Sequence, residues 1–304
     1  AALAATLAER LDPEVCGAVH ALDLQARAWA ELGNAHRVSN DLLRAERTLD
    51  HALACAERGT GDPLLLARIM DLTASLYTDL RRFREAAQLL DWVYHVYHRF
   101  GEGQRAARAL ISKGISVGLA NDYEPSIQLL ERGLADLDRE SDPALVVTAV
   151  HALIDFTVRL DRFEEGDRLL RLARPLYERW ADPLNRLKLR WLHGKVALGL
   201  GDPDRAEAEL LEVCDGFEQR RMPYTVAMVS LDLAALWLQQ GRAEETRELV
   251  EDILATFRAL RIGREAIAAL LVLRRALERE RATVTLVRSV ASRLRRLEDS
   301  PRSE

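Results

Sequence analysis

The stretch DPALVVTAVHALIDFTVRLDRFEEGDRLLRLARPLYERWADP, residues 142–183, holds one full period of the pattern that decides the fold. It begins at Asp142-Pro143 and reaches the next such pair, Asp182-Pro183, 40 residues later. Asp161-Arg162 forms a polar break near its middle. Apolar residues on either side of that break recur mostly at steps of three and four, the spacing of one helical face; they are Val146, Val150, Leu153, Phe156 and Leu160, then Phe163, Leu169, Leu170, Leu172, Ala173 and Tyr177. One period therefore predicts two helices, which the short turn makes antiparallel.

The same period runs through the middle of the chain. Prolines stand at positions 63, 143, 183 and 223, and Arg82-Phe83, Asp122-Tyr123 and Arg162-Phe163 recur in phase with them. Proline is tolerated in the first turn of a helix but not in its interior, so each of these prolines marks a helix start. A fixed period of this length is typical of stacked repeats, in which each unit buries its apolar face against its neighbours. No strand pattern is present, and the sequence predicts an all-α solenoid of antiparallel helix hairpins.

We predict a single solenoid over residues 1–304. It consists of the end of a preceding helix at 1–12, six hairpins at 13–260, a C-terminal capping pair at 261–297 and a tail at 298–304. The second helices of the hairpins are expected near 41–57, 83–99, 123–138, 163–180, 203–219 and 243–259, and the capping helices near 264–280 and 283–297. The outer face of the capping pair has charged rather than apolar residues, as a face toward water requires; they are Arg288, Arg293, Arg295 and Arg296.

The first ten residues are rich in Ala and Leu and do not begin with Met. They have no polar cap comparable to the one at the other end. We therefore expect the sequence to be part of a longer protein.

The first hairpin resembles a tetratricopeptide repeat (TPR) on seven residues: Trp29, Leu32, Gly33, His36, Ala45, Leu49 and Ala52. His36 stands where Tyr is usual, later hairpins lack the Trp, and the period is longer than the common 34 residues, as in the extended repeats of kinesin light chains or of peptide-sensing bacterial regulators. The resemblance covers residues 14–260. It implies a right-handed superhelix with a concave binding surface, and a column of small residues where the two helices of a hairpin cross, namely Ala45, Ala86, Ser126, Gly166, Ala206 and Thr246.

Composition favours a soluble cytoplasmic protein. The chain is 48% hydrophobic and 30% charged, which excludes a mainly disordered state, and it has no apolar run long enough to span a membrane. Three scattered cysteines do not form a disulfide framework. The net charge of −5 gives no general attraction to nucleic acid. The C-terminal arginines are the only feature that favours such binding, and they lack interleaved aromatic residues, so we predict no nucleic-acid partner.

Metal binding and catalysis are also not expected. Cys16 with His20 and His51 with Cys55 have the i,i+4 spacing of zinc ligands, but the hairpin register separates the two pairs by about 9 Å along the helices. His151 and Asp155 share a helix face, yet no nucleophile, metal motif or glycine-rich phosphate loop accompanies them. The sequence therefore predicts a non-enzymatic protein with no cofactor and no metal.

In TPR proteins the first helix of each hairpin lines the concave side. By that resemblance one inward position contains Arg27, Arg68, Arg108, Thr148, Lys188 and Met228, a set that we call the inward column. Other inward positions contain His151, Asp155, Arg159, Trp191, Lys195, Ile111 and Ile115. Cations, one aromatic platform and apolar residues suit a peptide with a carboxylate and an apolar anchor. The alternative is a solvated face on which arginines pair with Asp71, Asp79, Asp155 and Asp232 while Trp191 belongs to the core.

A second candidate surface lies on the second helix of the second hairpin. It is crowded with rings: Trp92, Tyr94, His95, Tyr97, His98 and Phe100. We predict a protein contact at Trp92 and Tyr97, because two neighbouring stripes cannot both face one core. The alternative is that these rings pack under the loop at 101–103.

These observations predict a non-catalytic scaffold that binds a protein or peptide segment in the concave groove. The alternative is a ligand- or peptide-sensing regulatory domain of a larger bacterial signalling or transcription-regulator protein, whose effector domain would lie upstream of Ala1. The sequence upstream of Ala1 would distinguish the two.

Overall fold

A computed structural model describes residues 1–10, 17–260, 264–278 and 281–298. All regular structure in these residues is helical. Contacts divide the chain into two compact units, Ala1–Phe156 and Thr157–Glu304. The single solenoid over 1–304 stays a prediction.

The first unit begins with a short helix and continues with hairpins. Its helices are α1 (Ala2–Ala8), α2 (Ala18–Val38), α3 (Leu42–Arg58), α4 (Pro63–Asp79), α5 (Phe83–Arg99), α6 (Gly103–Leu119), α7 (Tyr123–Asp136) and α8 (Pro143–Arg159), whose last turn lies in the second unit. The second unit continues with α9 (Phe163–Trp180), α10 (Pro183–Gly199), α11 (Pro203–Gln219), α12 (Pro223–Gln239), α13 (Ala243–Ala259), α14 (Arg264–Glu278) and α15 (Val284–Glu298). The all-α prediction is confirmed, and each predicted second helix and capping helix ends within two residues of the observed bounds.

Local chemistry sets the helix starts. Asp62, Asp142 and Asp182 each accept a hydrogen bond from a backbone N–H of the following turn, at 2.9, 3.1 and 2.8 Å. Proline then occupies the first helical position, where its missing N–H is not needed. The recurring Asp-Pro pair is therefore an N-cap followed by a rigid first residue.

Each hairpin turn uses one residue with positive φ. These residues recur at the period of the sequence: Asn40, Arg81, Asn121, Asp161, Gly201 and Gly241, with φ between 57° and 77°. The next residue donates its N–H back to a carbonyl five residues earlier, as Asp202 does to Ala197 at 2.9 Å. This is the Schellman arrangement, which ends a helix and reverses the chain.

The column of small residues lies where the helices of each hairpin cross. All six residues are buried. In the third hairpin the Ser126 hydroxyl donates to the Gly114 carbonyl at 2.6 Å. In the fourth, a Cβ placed on Gly166 would lie 3.1 Å from Val158 Cγ2 and 3.3 Å from Val196 Cγ2. The predicted close approach of the helices is confirmed.

The capping pair closes the second unit by packing under the sixth hairpin. In α15, Val287, Val290 and Leu294 are buried in one cluster with residues of α12, α13 and α14. The Tyr224 hydroxyl at the start of α12 donates to the Leu294 carbonyl at 2.9 Å. On the other side of α15, the outer arginines are exposed or half-buried as predicted: Arg288, Arg293, Arg295 and Arg296.

Parts of the sequence-based predictions fall outside the described residues. These are Cys16, the join between α1 and α2, the turn after Leu260 and the tail beyond 298. Among the helices of the described residues, none has the length and apolar character needed to cross a membrane.

Candidate functional site

The inward column is solvent-accessible on five helices and buried on the sixth. Arg27, Arg68, Arg108 and Thr148 are exposed, and Lys188 is half-buried. Met228 is only 1% exposed and belongs to the core cluster that contains α15. Its assignment to an open inward face was therefore wrong, because the helix that covers α12 comes from the capping pair.

In the first unit, cations of the inward column pair with acids of the neighbouring first helix. Arg68 Nη2 on α4 lies 3.2 Å from Glu31 Oε1 on α2. Arg27 reaches Asp62, the N-cap of α4, at 3.9 Å, and Arg108 pairs with Asp142, the N-cap of α8. The side chains of the Arg27 and Arg68 pairs are at least 36% exposed, so each of these two pairs contributes little to stability, on the order of 0–1 kcal/mol.

The alternative of arginines paired across helices thus describes much of this face, although most of the partners differ from those expected. Of the expected acids, Asp79 pairs with Arg37 at 2.8 Å. Sequence reasoning missed Asp62 and Asp142 as partners. Their signal was the Asp-Pro pair itself, because an N-cap carboxylate at the start of a first helix also faces the preceding first helix.

Asp71 on α4 is close enough to two of the three arginines of the column, Arg68 and Arg108, to interact with them electrostatically. Burial raises the pKa of its carboxyl, while Arg68 and Arg108 act in the opposite direction. The nearby Tyr97 is 2% exposed, and burial raises its pKa to about 12, with a smaller contribution from Asp71. These groups therefore interact electrostatically within the first unit.

In the second unit, Trp191 and Lys195 lie together as predicted. The Lys195 ammonium is 4.3 Å from the centroid of the indole ring. The indole N–H donates to Asp232 at 2.7 Å, and the Phe217 ring packs edge-on at 6.1 Å. Trp191 is half-buried, so it combines both expectations: part of the ring belongs to the core and part borders the inward face.

Lys188 lies in the first turns of α10. Asp182 caps this helix, and backbone hydrogen bonds from Asn185 and Leu184 lower the pKa of its carboxyl, with a smaller contribution from Lys188. On α8, His151 and Asp155 are half-buried and Arg159 is exposed. Ile111, predicted for the apolar floor of the groove, is 0% exposed, so its inward assignment was wrong like that of Met228. The other side chains predicted for the groove reach solvent at least in part.

The aromatic surface on α5 is smaller than predicted. Trp92 and Phe100 are 41% and 49% exposed, whereas Tyr97 is buried with Leu90 and Val93. Tyr94 packs against His95 and His98, with ring centroids 5.3 and 5.7 Å apart. A protein contact at Tyr97 is excluded by this burial, while Trp92 remains accessible.

The cysteine pairs show packing contacts. Cys55 Sγ lies 3.8 Å from His51 Nε2 on the same face of α3, as the i,i+4 spacing predicted. Cys214 Sγ lies 3.7 Å from the Ser230 hydroxyl, and burial raises its pKa to about 11. Within the described ranges, no group of three or more His, Cys, Asp or Glu side chains is placed to hold a metal ion.

No protein-family model and no curated protein matches the chain. Several solved structures are similar to it. Aspartyl phosphate phosphatase F from Bacillus subtilis is 13% identical with a TM-score of 0.61, over 76% of this chain and 59% of that one. The apo form of RapI is 14% identical with a TM-score of 0.64, over 85% and 89% of the two chains. A Rap protein solved in complex with competence and sporulation factor is 12% identical with a TM-score of 0.56, over 89% and 77%.

These likenesses establish the fold, an all-α solenoid of helix hairpins. The chain spans 59% of the length of phosphatase F, and the identities are low. The names and ligands of these proteins therefore describe those proteins and not this chain.

Proposed function

We propose that this protein is a non-catalytic scaffold that binds a protein or peptide segment along its first helices. The observation that carries the proposal is the presence of accessible cations on the first helices of each unit, Arg68 and Arg108 in the first and Lys188 and Lys195 in the second. Arg68 is oriented by the exposed Glu31, which holds it weakly, and Arg108 by the half-buried Asp142. A carboxylate of a ligand could replace an exposed acid such as Glu31 at little cost in free energy.

The proposed site has an apolar component as well as cations. The accessible part of Trp191 lies beside Lys195, which suits an apolar side chain next to a carboxylate. On α8, the proposed site also contains an acid, a cation and an imidazole, from Asp155, Arg159 and His151. Such a mixture favours a peptide-like ligand over a nucleic acid, which would require an excess of cations.

The structural likeness to a Rap protein in complex with competence and sporulation factor supports a binding role. The same likeness favours the second candidate function, a sensing domain of a regulatory protein. The two candidates differ in one respect, since a sensor must bind its ligand with different affinity in two conformations and a scaffold need not.

The test begins with selection of binders from a displayed random-peptide library, followed by titration of a selected synthetic peptide. We expect Arg68→Gln with Arg108→Gln, or Lys188→Gln with Lys195→Gln, to weaken binding by about 1–3 kcal/mol and to flatten its salt dependence. Arg288→Gln with Arg293→Gln is the matched control, because it removes the same charge from the exposed face of α15.

Equal weakening in the control would show that net charge, and not the first helices, controls binding. Unchanged affinity in both inward variants would contradict the proposal. Hydrogen exchange with and without the selected peptide then separates the two candidates. Protection confined to the contact residues indicates a scaffold, and altered exchange across a whole unit indicates a sensor.

A further inference from the structure

The sixth hairpin contains a cavity of about 510 Å³ that no step of the proposed function uses. It lies between the end of α11, the first half of α12 and the second half of α13. Its walls are mainly apolar, and its lining includes Met222, Val226, Ala227, Leu249, Ile253 and Phe257. Ser230 also lines the cavity and is 3% exposed. A cavity of this size and character is typical of sites for drug-sized ligands, roughly 300–1,000 Å³.

The repeat explains why the cavity exists here. The position of Ser230 contains Trp29, Met70, Leu110, Val150 and Arg190 in the five earlier hairpins, a set that with Ser230 we call the filler column. Ser230 is the smallest residue of the six. In the fifth hairpin, Arg190 extends over this region and pairs with Glu209 at 3.0 Å and with Glu212. In the sixth, the residues equivalent to those two acids are Leu249 and Asp252.

A second difference between the fifth and sixth hairpins further reduces the side-chain volume that the first helix contributes at this place. Leu187 of the fifth hairpin lies against Gly216, where an added Cβ would be 2.7 Å from Leu187 Cδ1. The equivalent residues in the sixth hairpin are Ala227 and Thr256, both of which line the cavity. Two large side chains of α10 are thus replaced by small ones in α12. The residues that leave this space open are therefore specific to the sixth hairpin and are not set by the repeat.

We propose that this cavity binds an uncharged, apolar small molecule. The walls favour an apolar body, and the Ser230 hydroxyl offers one hydrogen-bonding group. Three charged residues, Glu218, Arg221 and Asp252, line the cavity and are all exposed. Two of them are acids and one is a cation, so the site disfavours an anionic head group such as a carboxylate or sulfonate.

The site is independent of the inward face. Met228 and Leu231, which continue the inward positions on α12, are buried in the core cluster that contains α15. The cavity residues Val226 and Ser230 share its lining with residues of α11 and α13, and the Ser230 hydroxyl lies 3.7 Å from Cys214 Sγ on α11. Loss of peptide binding at the first helices therefore leaves this proposal unaffected.

Two related dyes test the proposal with the whole chain. N-phenyl-1-naphthylamine is uncharged, and 8-anilino-1-naphthalenesulfonate has the same ring system with a sulfonate. We expect saturable enhancement of the fluorescence of the uncharged dye with one site per chain, and at least about tenfold weaker binding of the sulfonate. The double variant Glu218→Gln with Asp252→Asn should reduce the difference in affinity between the two dyes, because it leaves Arg221 as the one charge among these three residues.

Ser230→Met fills the cavity with the residue that the second hairpin has at this position. It should weaken binding of the uncharged dye by at least about tenfold, whereas Ser230→Ala, which removes the hydroxyl without filling space, should change it by less than about threefold. Val226→Arg restores the residue of the fifth hairpin and blocks the cavity independently, should Ser230→Met fail to fold.

Absence of dye binding to the unmodified chain would overturn the proposal. The proposal would also be overturned if folded Ser230→Met and Val226→Arg variants bound the uncharged dye as tightly as the unmodified chain does, since the dye would then occupy another surface.

Discussion

The fifth and sixth hairpins have the same helix lengths and the same turns, yet their first helices face different surroundings. On α10, the inward positions contain Lys188, Trp191 and Lys195, all half-buried. On α12, the equivalent positions contain Met228, Leu231 and Ala235, all buried. The change from polar to apolar marks the hairpin that α15 covers.

The two hairpins also differ in the size of the side chains that line the space between each first helix and its neighbours. Large side chains fill the space between α10 and its neighbours, whereas small ones leave the cavity beside α12. The period therefore determines where helices begin, cross and end. The residues at each face report what lies against that face, and they vary from one hairpin to the next.

The largest expected effect comes from exchanging the inward column between the two hairpins. Met228→Lys places an ammonium in the core cluster, and we expect it to lower the free energy of unfolding by more than about 3 kcal/mol. Lys188→Met, the reciprocal change at a half-buried site, should alter it by less than about 0.5 kcal/mol. Urea unfolding measures both. Similar losses in the two variants would show that α15 does not shield Met228.

A smaller effect is expected where the two hairpins exchange volume. Gly216→Thr introduces the Thr256 side chain of the sixth hairpin into the fifth, against Leu187, and should cost about 1–3 kcal/mol of stability. Adding Leu187→Ala, which introduces the residue that the sixth hairpin has at the equivalent position 227, should recover most of the lost stability. Thermal unfolding of the single and double variants completes the cycle. If their effects are additive, the two positions do not share one packed space.

The fifth hairpin should also make stability depend on pH. Burial lowers the pKa of His193 on α10. Among the neighbouring charges, Glu209 acts most strongly, and it raises the pKa by a smaller amount. The folded state therefore binds a proton less readily than the unfolded state, and stability falls as the pH drops through the unfolded pKa, about 6.5.

His193→Leu introduces the equivalent residue of the sixth hairpin, Leu233. Its melting temperature should fall less between pH 7.5 and 5.5 than that of the unmodified chain. His20→Leu, at an exposed position, is the control and should keep the full decrease. An unchanged decrease in His193→Leu would contradict the assignment.

The smallest expected effect concerns the hairpin turns. Gly201 and Gly241 hold positive φ in the fifth and sixth hairpins, while the fourth uses Asp161 with φ 57°. Asp161→Gly should raise stability by about 0.5 kcal/mol, because relief of backbone strain is partly offset by the greater entropy of glycine in the unfolded chain. Gly201→Ala should act in the opposite direction in the same melting experiment.

Most of the fold was predictable because its signals are local. Asp-Pro caps, turn residues and small crossing residues each act within one hairpin, so the period located the second helix of every hairpin. The packing of α15 on α12 was not predictable in this way, since it joins residues far apart in sequence. Tyr224 and Leu294 show this, because no repeat equivalence links them.

The candidate site was predictable only in outline. The inward column correctly named accessible cations such as Arg68 and Arg108, but not their acid partners, which depend on how neighbouring helices are offset. The cavity left a readable trace in the sequence: Ser230 is the one small residue of the filler column. Its significance becomes clear only when the volumes around α12 are known.

The contact between α15 and α12 has a consequence for the order in which the chain acquires structure. Helices within a hairpin meet after closing a loop of a few residues, whereas Tyr224 and Leu294 meet only after a loop of about seventy residues closes, which adds an entropic barrier. During synthesis the N-terminal hairpins fold first, and the apolar stripe of Met228, Leu231 and Ala235 stays uncovered until α15 is made. The core of the sixth hairpin is therefore completed only after α15 has been synthesised.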